Sequence, residues 1–361
     1  MLNSNRPRVV FDASPLRYIN TGLGQVSFYL IKAFEEIRNK PMDIAYLVHP
    51  SAKHLVKDFT QRFITASSLK RHMPPFLFPF LFGKYDLWHA TSENTQYKHF
   101  SNSAKVLLTL HGLHFLDEDP HDVAMKKLAL VQKIVDRSNA IAADSKYTAE
   151  LVKKHLTLGN KPMKIIHLGV EKHPGRTLKR PVNLPDGKFI FSIGSFFERK
   201  NFHVLIPFLH QLGDYNLVLA GNNSNSYGDK IRAEIQRLGL SSRVILTGEV
   251  NEAEKYWLFE NCSAFVFPSV SEGFGIPLIE AMQAGKPVFS SLFGSLPEIG
   301  SIHAFYWEHF DPKYMSDLFH EKMQLYHSDS QNAINSKLHA DGFSWSRTAE
   351  GYLSFYAELI K

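Results

Sequence analysis

Residues 271–288 read SEGFGIPLIEAMQAGKPV. Apolar runs lie on either side, SAFVFPS (263–269) before and KPVFSS (286–291) after. Strand, glycine loop, helix and strand follow in that order. Pro277 suits the first helical position, where its missing N–H is no loss. Gly285 and then Pro287 end the helix after about two or three turns. Free N–H groups at such a helix start, together with the helix dipole, favour an anion. Gly273 and Gly275 let backbone come close to a bound phosphate or sugar. Two glutamates complete the stretch: Glu272 on the loop, and Glu280 in the first turn of the helix.

A carboxylate beside a phosphate site needs a partner, and uncharged hydroxyls are the natural one. A nucleotide-sugar supplies the whole set: a diphosphate for the amides, ribose hydroxyls for one glutamate and sugar hydroxyls for the other. The plainer alternative is a solvated Glu272 and a Glu280 that only complements the helix dipole.

Outward from this stretch, strands and helices alternate along the chain. RVVFDAS (8–14), MDIAYLV (42–48), YDLWHAT (85–91), AKVLLTLH (104–111), NAIAADS (139–145) and KIIHLGV (164–170) read as strands. Helical spacing fills the gaps, at 24–37, 124–138 and 147–156, with Ser145 as a cap for the last. Residues 171–188 carry three prolines and two glycines and read as a linker. A second series follows, with strands at 189–195, 215–221, 243–250, 263–269 and 286–291. Such alternation implies parallel sheets covered by helices. Two series imply two doubly wound α/β domains.

Three more constellations sit at strand ends or helix starts. In FSIGSFFERKNF (191–202), Arg199 and Lys200 lie just beyond a strand and suit a diphosphate. They also read as solvated surface charges. In INTGLGQVSFYL (19–30), Gly22 and Gly24 open a helix, but Ser27 stands where a dinucleotide fingerprint has its third glycine. That disfavours an oxidoreductase, and leaves a phosphate loop or a plain turn. In LTLHGLHF (108–115), His111 ends an apolar strand on the side where ligands bind in such sheets. His89 ends a neighbouring strand. A lone histidine at either place is also an ordinary structural residue.

Length and composition are those of a globular protein: 361 residues, 44% hydrophobic and 21% charged. The single cysteine, Cys262, excludes an internal disulfide and reads as a small buried hydrophobe. Residues 1–168 carry a net charge of +9 and residues 169–361 a net −3. The basic half suggests a surface that meets anions. No zinc-finger, RNA-recognition or helix-turn-helix signature points to nucleic acid. No run approaches the roughly 20 apolar residues of a membrane span, and the N-terminus has no apolar segment of signal-peptide length. The expectation is a cytoplasmic protein, soluble or peripheral on the inner face of the membrane. LKRHMPPFLFPFLFGK (69–84), phenylalanine-rich with basic ends, is a candidate dock on anionic lipid and equally a cover for the sheet.

Taken together, these stretches resemble glycosyltransferase family 4, whose fold is called GT-B. EGFGIPLIEAMQAGKPV resembles the family signature EGFGLPxLEAMAxGxPV, and GSFFERKNF its basic segment. LPEIG (296–300), IHLGVE (166–171) and FSWSRTAEGYLSFY (343–356) also match. The resemblance runs over nearly the whole chain. It is greatest to mannosyl- and rhamnosyltransferases of bacterial surface polysaccharides.

The resemblance implies two Rossmann-like domains facing across a cleft: an acceptor domain at 1–170, a linker at 171–188 and a donor domain at 189–342. The helix of 343–361 would cross back to the first domain. It implies a retaining hexosyltransferase that needs no metal or cofactor and takes a GDP- or UDP-sugar. The acceptor would be a glycan or lipid-linked glycan in lipopolysaccharide synthesis. Arg199 and Lys200 would hold the diphosphate, Glu272 with Gly273, Phe274 and Gly275 the donor sugar, and Glu280 the ribose. Gly22 and Gly24 would lie near phosphate and acceptor, and His111 would project toward the sugar. The position after His111, often Asp in similar members, is Gly112 here, and Ser195 stands where many have Thr or Arg. A nucleotide-sugar epimerase on the same fold and a non-catalytic glycan- or membrane-binding relative are the alternatives.

Overall fold

The computed structural model describes residues 6–58, 60, 62–65, 83–95, 104–172 and 177–361. All but the last two residues of the stretch 69–84 lie outside the described residues. The chain forms two compact units, Met1–Gly169 with Ser344–Lys361, and Val170–Phe343.

The first unit is built on seven parallel strands: β1 (Arg8–Asp12), β2 (Asp43–Val48), β3 (Phe63–Thr65), β4 (Leu87–Ala90), β5 (Lys105–Leu110), β6 (Ala140–Ala143) and β7 (Met163–Ile165). Their spatial order is 3-2-1-4-5-6-7. Near-continuous apolar runs such as VLLTL in β5 are buried throughout, as a parallel sheet covered on both faces requires. Helices Gly22–Glu36, His121–Arg137 and Lys146–His155 connect the strands. Ser145 caps the last by accepting a hydrogen bond from the Thr148 amide.

The helix Trp345–Ile360, last in the chain, belongs to this first unit. It buries Tyr352 and Tyr356, with Tyr356 Oη 2.6 Å from His89 Nδ1. His89 Nε2 reaches Thr109 Oγ1 at 2.7 Å, and Thr109 reaches Tyr352 Oη at 3.0 Å. Gly169 lets the chain pass the start of this helix. A Cβ there would sit 2.2 Å from the Trp345 amide nitrogen. His89 is therefore a core residue. Burial, with His111 nearby, pushes its pKa down to about 3, so the ring stays neutral.

The second unit has six parallel strands: β8 (Phe189–Ile193), β9 (Asn216–Ala220), β10 (Val244–Gly248), β11 (Ala264–Phe267), β12 (Val288–Ser291) and β13 (Phe305–Trp307), in the order 10-9-8-11-12-13. One face packs on a cluster that includes Phe208, Phe289, Trp307 and Phe319. Cys262 lies buried, and burial pushes its thiol pKa up to about 12. The short edge strands β3 and β13 carry no run long enough to read as strands in the sequence. The expected strands are found within about two residues of their ends, except the one expected at 164–170, which is only Met163–Ile165 and stops five residues early.

Candidate functional site

Both sheets reverse strand order once, between β1 and β4 in the first unit and between β8 and β11 in the second. The two connections leaving neighbouring strands at such a point run to opposite faces. They open a crevice at the C-terminal strand ends, the usual ligand position in doubly wound sheets.

In the second unit that position holds Arg199, Lys200 and Glu272. After β8 the chain makes a short 3₁₀ turn, Glu198–Lys200, closed by Asn201 in the left-handed conformation. Lys200 is buried. Its stem passes Gly194, where a Cβ would sit 3.1 Å from the lysine Cε. Its ammonium lies 5.0 Å from the Phe267 ring centroid and donates to Glu272 Oε1 at 2.5 Å. Ser269 Oγ lies 2.6 Å from the same oxygen, and Arg199 Nη1 3.7 Å away. Arg199 also donates to the Ser271 carbonyl at 3.3 Å, and the Val270 amide donates to the Arg199 carbonyl at 2.8 Å. The loops after β8 and β11 are thus laced together.

The loop after β12 supports them. The Ser295 amide and hydroxyl both donate to the Glu272 carbonyl at 3.1 Å. Gly294 lies so close that a Cβ would be 2.8 Å from Glu272 N and O. Burial by itself raises the Glu272 pKa. Lys200, Arg199 and the Ser269 hydroxyl outweigh it, and the carboxyl is held below its ordinary value.

The helix following this loop is Ile276–Gln283, so Pro277 is its second residue and not its first. Gly275 precedes it at φ +96°, and a Cβ there would meet Leu296 Cδ2 at 2.7 Å. Phe274 is buried, edge-on to Phe343, and Gly273 lies between it and Glu272. Glu280 is the fifth helical residue, one step beyond the first turn in which the sequence reading put it. At that depth its carboxylate is beyond the free N–H groups, which belong to the first turn. It accepts instead from Lys255 Nζ at 2.7 Å, and both side chains are buried.

In the first unit, Gly22 and Gly24 lie inside the first turn of the helix Gly22–Glu36, capped by Thr21 Oγ1, which accepts from the Gly24 amide at 3.2 Å. A Cβ on Gly24 would lie 2.1 Å from the Tyr18 carbonyl oxygen, so Gly24 is required by its own chain. At Gly22 a Cβ would meet nothing within 4 Å. His111 follows β5. Its Nδ1 lies 3.1 Å from Asp144 Oδ2, at the end of β6, and its Nε2 2.9 Å from the Thr91 carbonyl, past β4. Thr91 and Thr95 bind Asp12 at the end of β1. Asp12 is buried and Glu93 partly buried, and burial raises the pKa of both.

Sequence reasoning missed Lys255, Ser269 and Asp144. A signal for Lys255 existed. The box Asn251/Glu254 sets the register of the helix Glu252–Asn261, in which Lys255 is buried beside Tyr256 and Phe259. Asp144 stands between an apolar strand and its capping Ser145, a place where a charge is unusual. Among the described residues, no group of three or more His, Cys, Asp or Glu could hold a metal ion. No helix among them is long and apolar enough to cross a membrane.

The family model described as "Glycosyl transferases group 1" matches residues 176–334. The serotype-specific mannosyltransferase WbdA of Escherichia coli is 32% identical over 52% of this chain. That match takes in only 23% of WbdA, so this chain corresponds to about a quarter of its length. The O-antigen chain mannosyltransferase RfbU of Salmonella typhimurium is 24% identical over 78% of this chain and 82% of its own. The structure of Anabaena HepE in complex with UDP and glucose superposes with a TM-score of 0.77 at 16% identity, covering 98% of this chain and 100% of that one. The fold is GT-B, and the segment 176–334 is similar to the group 1 glycosyl transferases.

Proposed function

We propose that the protein transfers a hexose, mannose in preference, from a nucleotide-sugar to a glycan or lipid-linked glycan of the cell surface. The observation that carries this reading is the Arg199–Lys200–Glu272 cluster at the switch point of the second sheet, with Lys200 and Glu272 buried and Arg199 partly so. It joins two cations, suited to a diphosphate, with a carboxylate suited to sugar hydroxyls. The mannosyltransferases WbdA and RfbU among the relatives favour mannose, and O-antigen is the product that the name of RfbU prints. The UDP held by HepE favours a nucleoside diphosphate as the leaving group.

In this reading Lys200 leaves Glu272 when the diphosphate arrives and, with Arg199, stabilises the charge that develops on the departing phosphate. That preorganised charge does the work a divalent cation does elsewhere. Glu272 then accepts from hydroxyls of the sugar, Glu280 from the ribose, and the Gly273–Gly275 amides approach the ligand. Gly22 lies on an open helix start suited to phosphate or acceptor, and His111 is suited to a sugar hydroxyl. The anomeric configuration of the donor is retained.

The test is incubation of the purified protein with GDP-mannose or UDP-hexoses and a glycan acceptor in the presence of EDTA. Following the anomeric proton by NMR, the reading expects an α-linked product from the α-linked donor. Turnover only with added divalent metal, an inverted product, or epimerised donor without acceptor would each overturn a part of it.

A further inference from the structure

The His111 ring is enclosed by hydrogen-bond acceptors. Nδ1 faces a carboxylate oxygen of Asp144 at 3.1 Å, and Nε2 faces the Thr91 carbonyl oxygen at 2.9 Å. A carbonyl oxygen cannot donate, so Nε2 must carry a proton. An ionised Asp144 cannot donate either, so Nδ1 must carry one as well. An imidazole with a proton on each nitrogen is a cation.

We propose that Asp144 is a positioning residue that holds His111 as a permanent imidazolium, so that His111 is a fixed charge and cannot serve as a base. The surroundings agree in every direction. From the segment after β4, Glu93 contributes a second carboxyl, with its Oε2 buried and unpartnered among the described residues. From β6, Asp144 Oδ1 is likewise buried and unpartnered among them. From β4 itself, His89 is a neutral ring with both nitrogens engaged by hydroxyls. From the last helix, Tyr352 contributes a phenol whose pKa burial raises further. Asp12, at the end of β1, is spoken for by Thr95 and the Ser14 amide. Burial disfavours the charged ring, yet Asp144, Glu93 and the Thr91 carbonyl prevail, and the His111 pKa is raised.

Gly112 has φ +129°, and a Cβ there would lie 2.8 Å from His114 Nε2. That φ is one that side chains rarely adopt, so a side chain at 112 is strained, and the carboxylate that faces the ring is that of Asp144. The lock ties the ends of β4, β5 and β6 into one rigid rim. Its significance for catalysis rests on the transferase reading above, whereas the charge state of the ring does not.

The experiment is ¹⁵N NMR of the histidine side chains in the full-length protein, with His111 assigned by His111→Gln. At a pH of about 7.5, where an ordinary histidine is neutral, both His111 nitrogens should show shifts of a protonated ring. In Asp144→Asn the midpoint should fall by about one pH unit or more. A wild-type ring with one bare nitrogen at that pH would overturn the proposal, as would a midpoint unmoved by Asp144→Asn in a folded variant. Folding is checked by the unchanged neutral signature of His89. Where transfer is observed, its pH profile should lack a histidine limb near 6.5. In Asp144→Asn such a limb should appear, without a matching change in KM.

Discussion

At the scale of single residues, the second unit keeps two buried ion pairs, Lys200–Glu272 and Lys255–Glu280. Removing one member of such a pair leaves a charge without compensation in a poorly solvated place, at a cost of about 3–5 kcal/mol. Lys255→Met should therefore lower stability by about that amount in chemical denaturation, while the double variant Lys255→Met/Glu280→Leu should recover most of it. The Glu272 pKa is lowered in the folded state, so the unfolded chain binds the extra proton as pH falls. The stabilisation is complete above the ordinary carboxyl value and is lost as pH drops through the folded one. Unfolding free energies between pH of about 5 and 3 should fall more steeply in the wild type than in Glu272→Gln. The buried Cys262, its pKa raised to about 12, should resist thiol reagents in the native protein and react at once in urea.

At the scale of elements, most of what positions the site could be read along the chain, because apolar runs and glycine–proline punctuation are local signals. SAFVFPS, KPVFSS and the helix between them are where their residues place them. What stayed hidden were pairings of residues far apart in sequence. Nothing near Glu280 marks Lys255 as its partner, and nothing near His111 marks Asp144. The shift of Glu280 out of the first turn has a local cause. The helix starts at Ile276, directly after the left-handed Gly275. The His89–Tyr356 contact is another distant pairing, 267 residues apart. Tyr356→Phe leaves a buried imidazole nitrogen without its hydroxyl and should cost about 1–3 kcal/mol by denaturant titration.

At the scale of the whole molecule, two parallel sheets carry two clusters, each beside a reversal of strand order. The second unit is one continuous segment with its own core, whereas the first needs residues 344–361 to cover its sheet. Deleting 344–361 uncovers His89, Thr109 and Phe34, which Tyr352 and Tyr356 otherwise shield. The first unit should then unfold well below the second in calorimetry, while the second keeps its melting temperature.

In the proposed function, the Arg199–Lys200–Glu272 cluster is a nucleoside-diphosphate site. It is tested most directly by thermal shift of the wild type and Arg199→Ala with GDP, UDP and dTDP in EDTA. A ligand that binds only the folded state at about 100 times its Kd stabilises by roughly 2.7 kcal/mol. A clear rise in Tm is expected with one of these nucleotides, lost in Arg199→Ala. No rise with any nucleotide, or the same rise in Arg199→Ala, would contradict it.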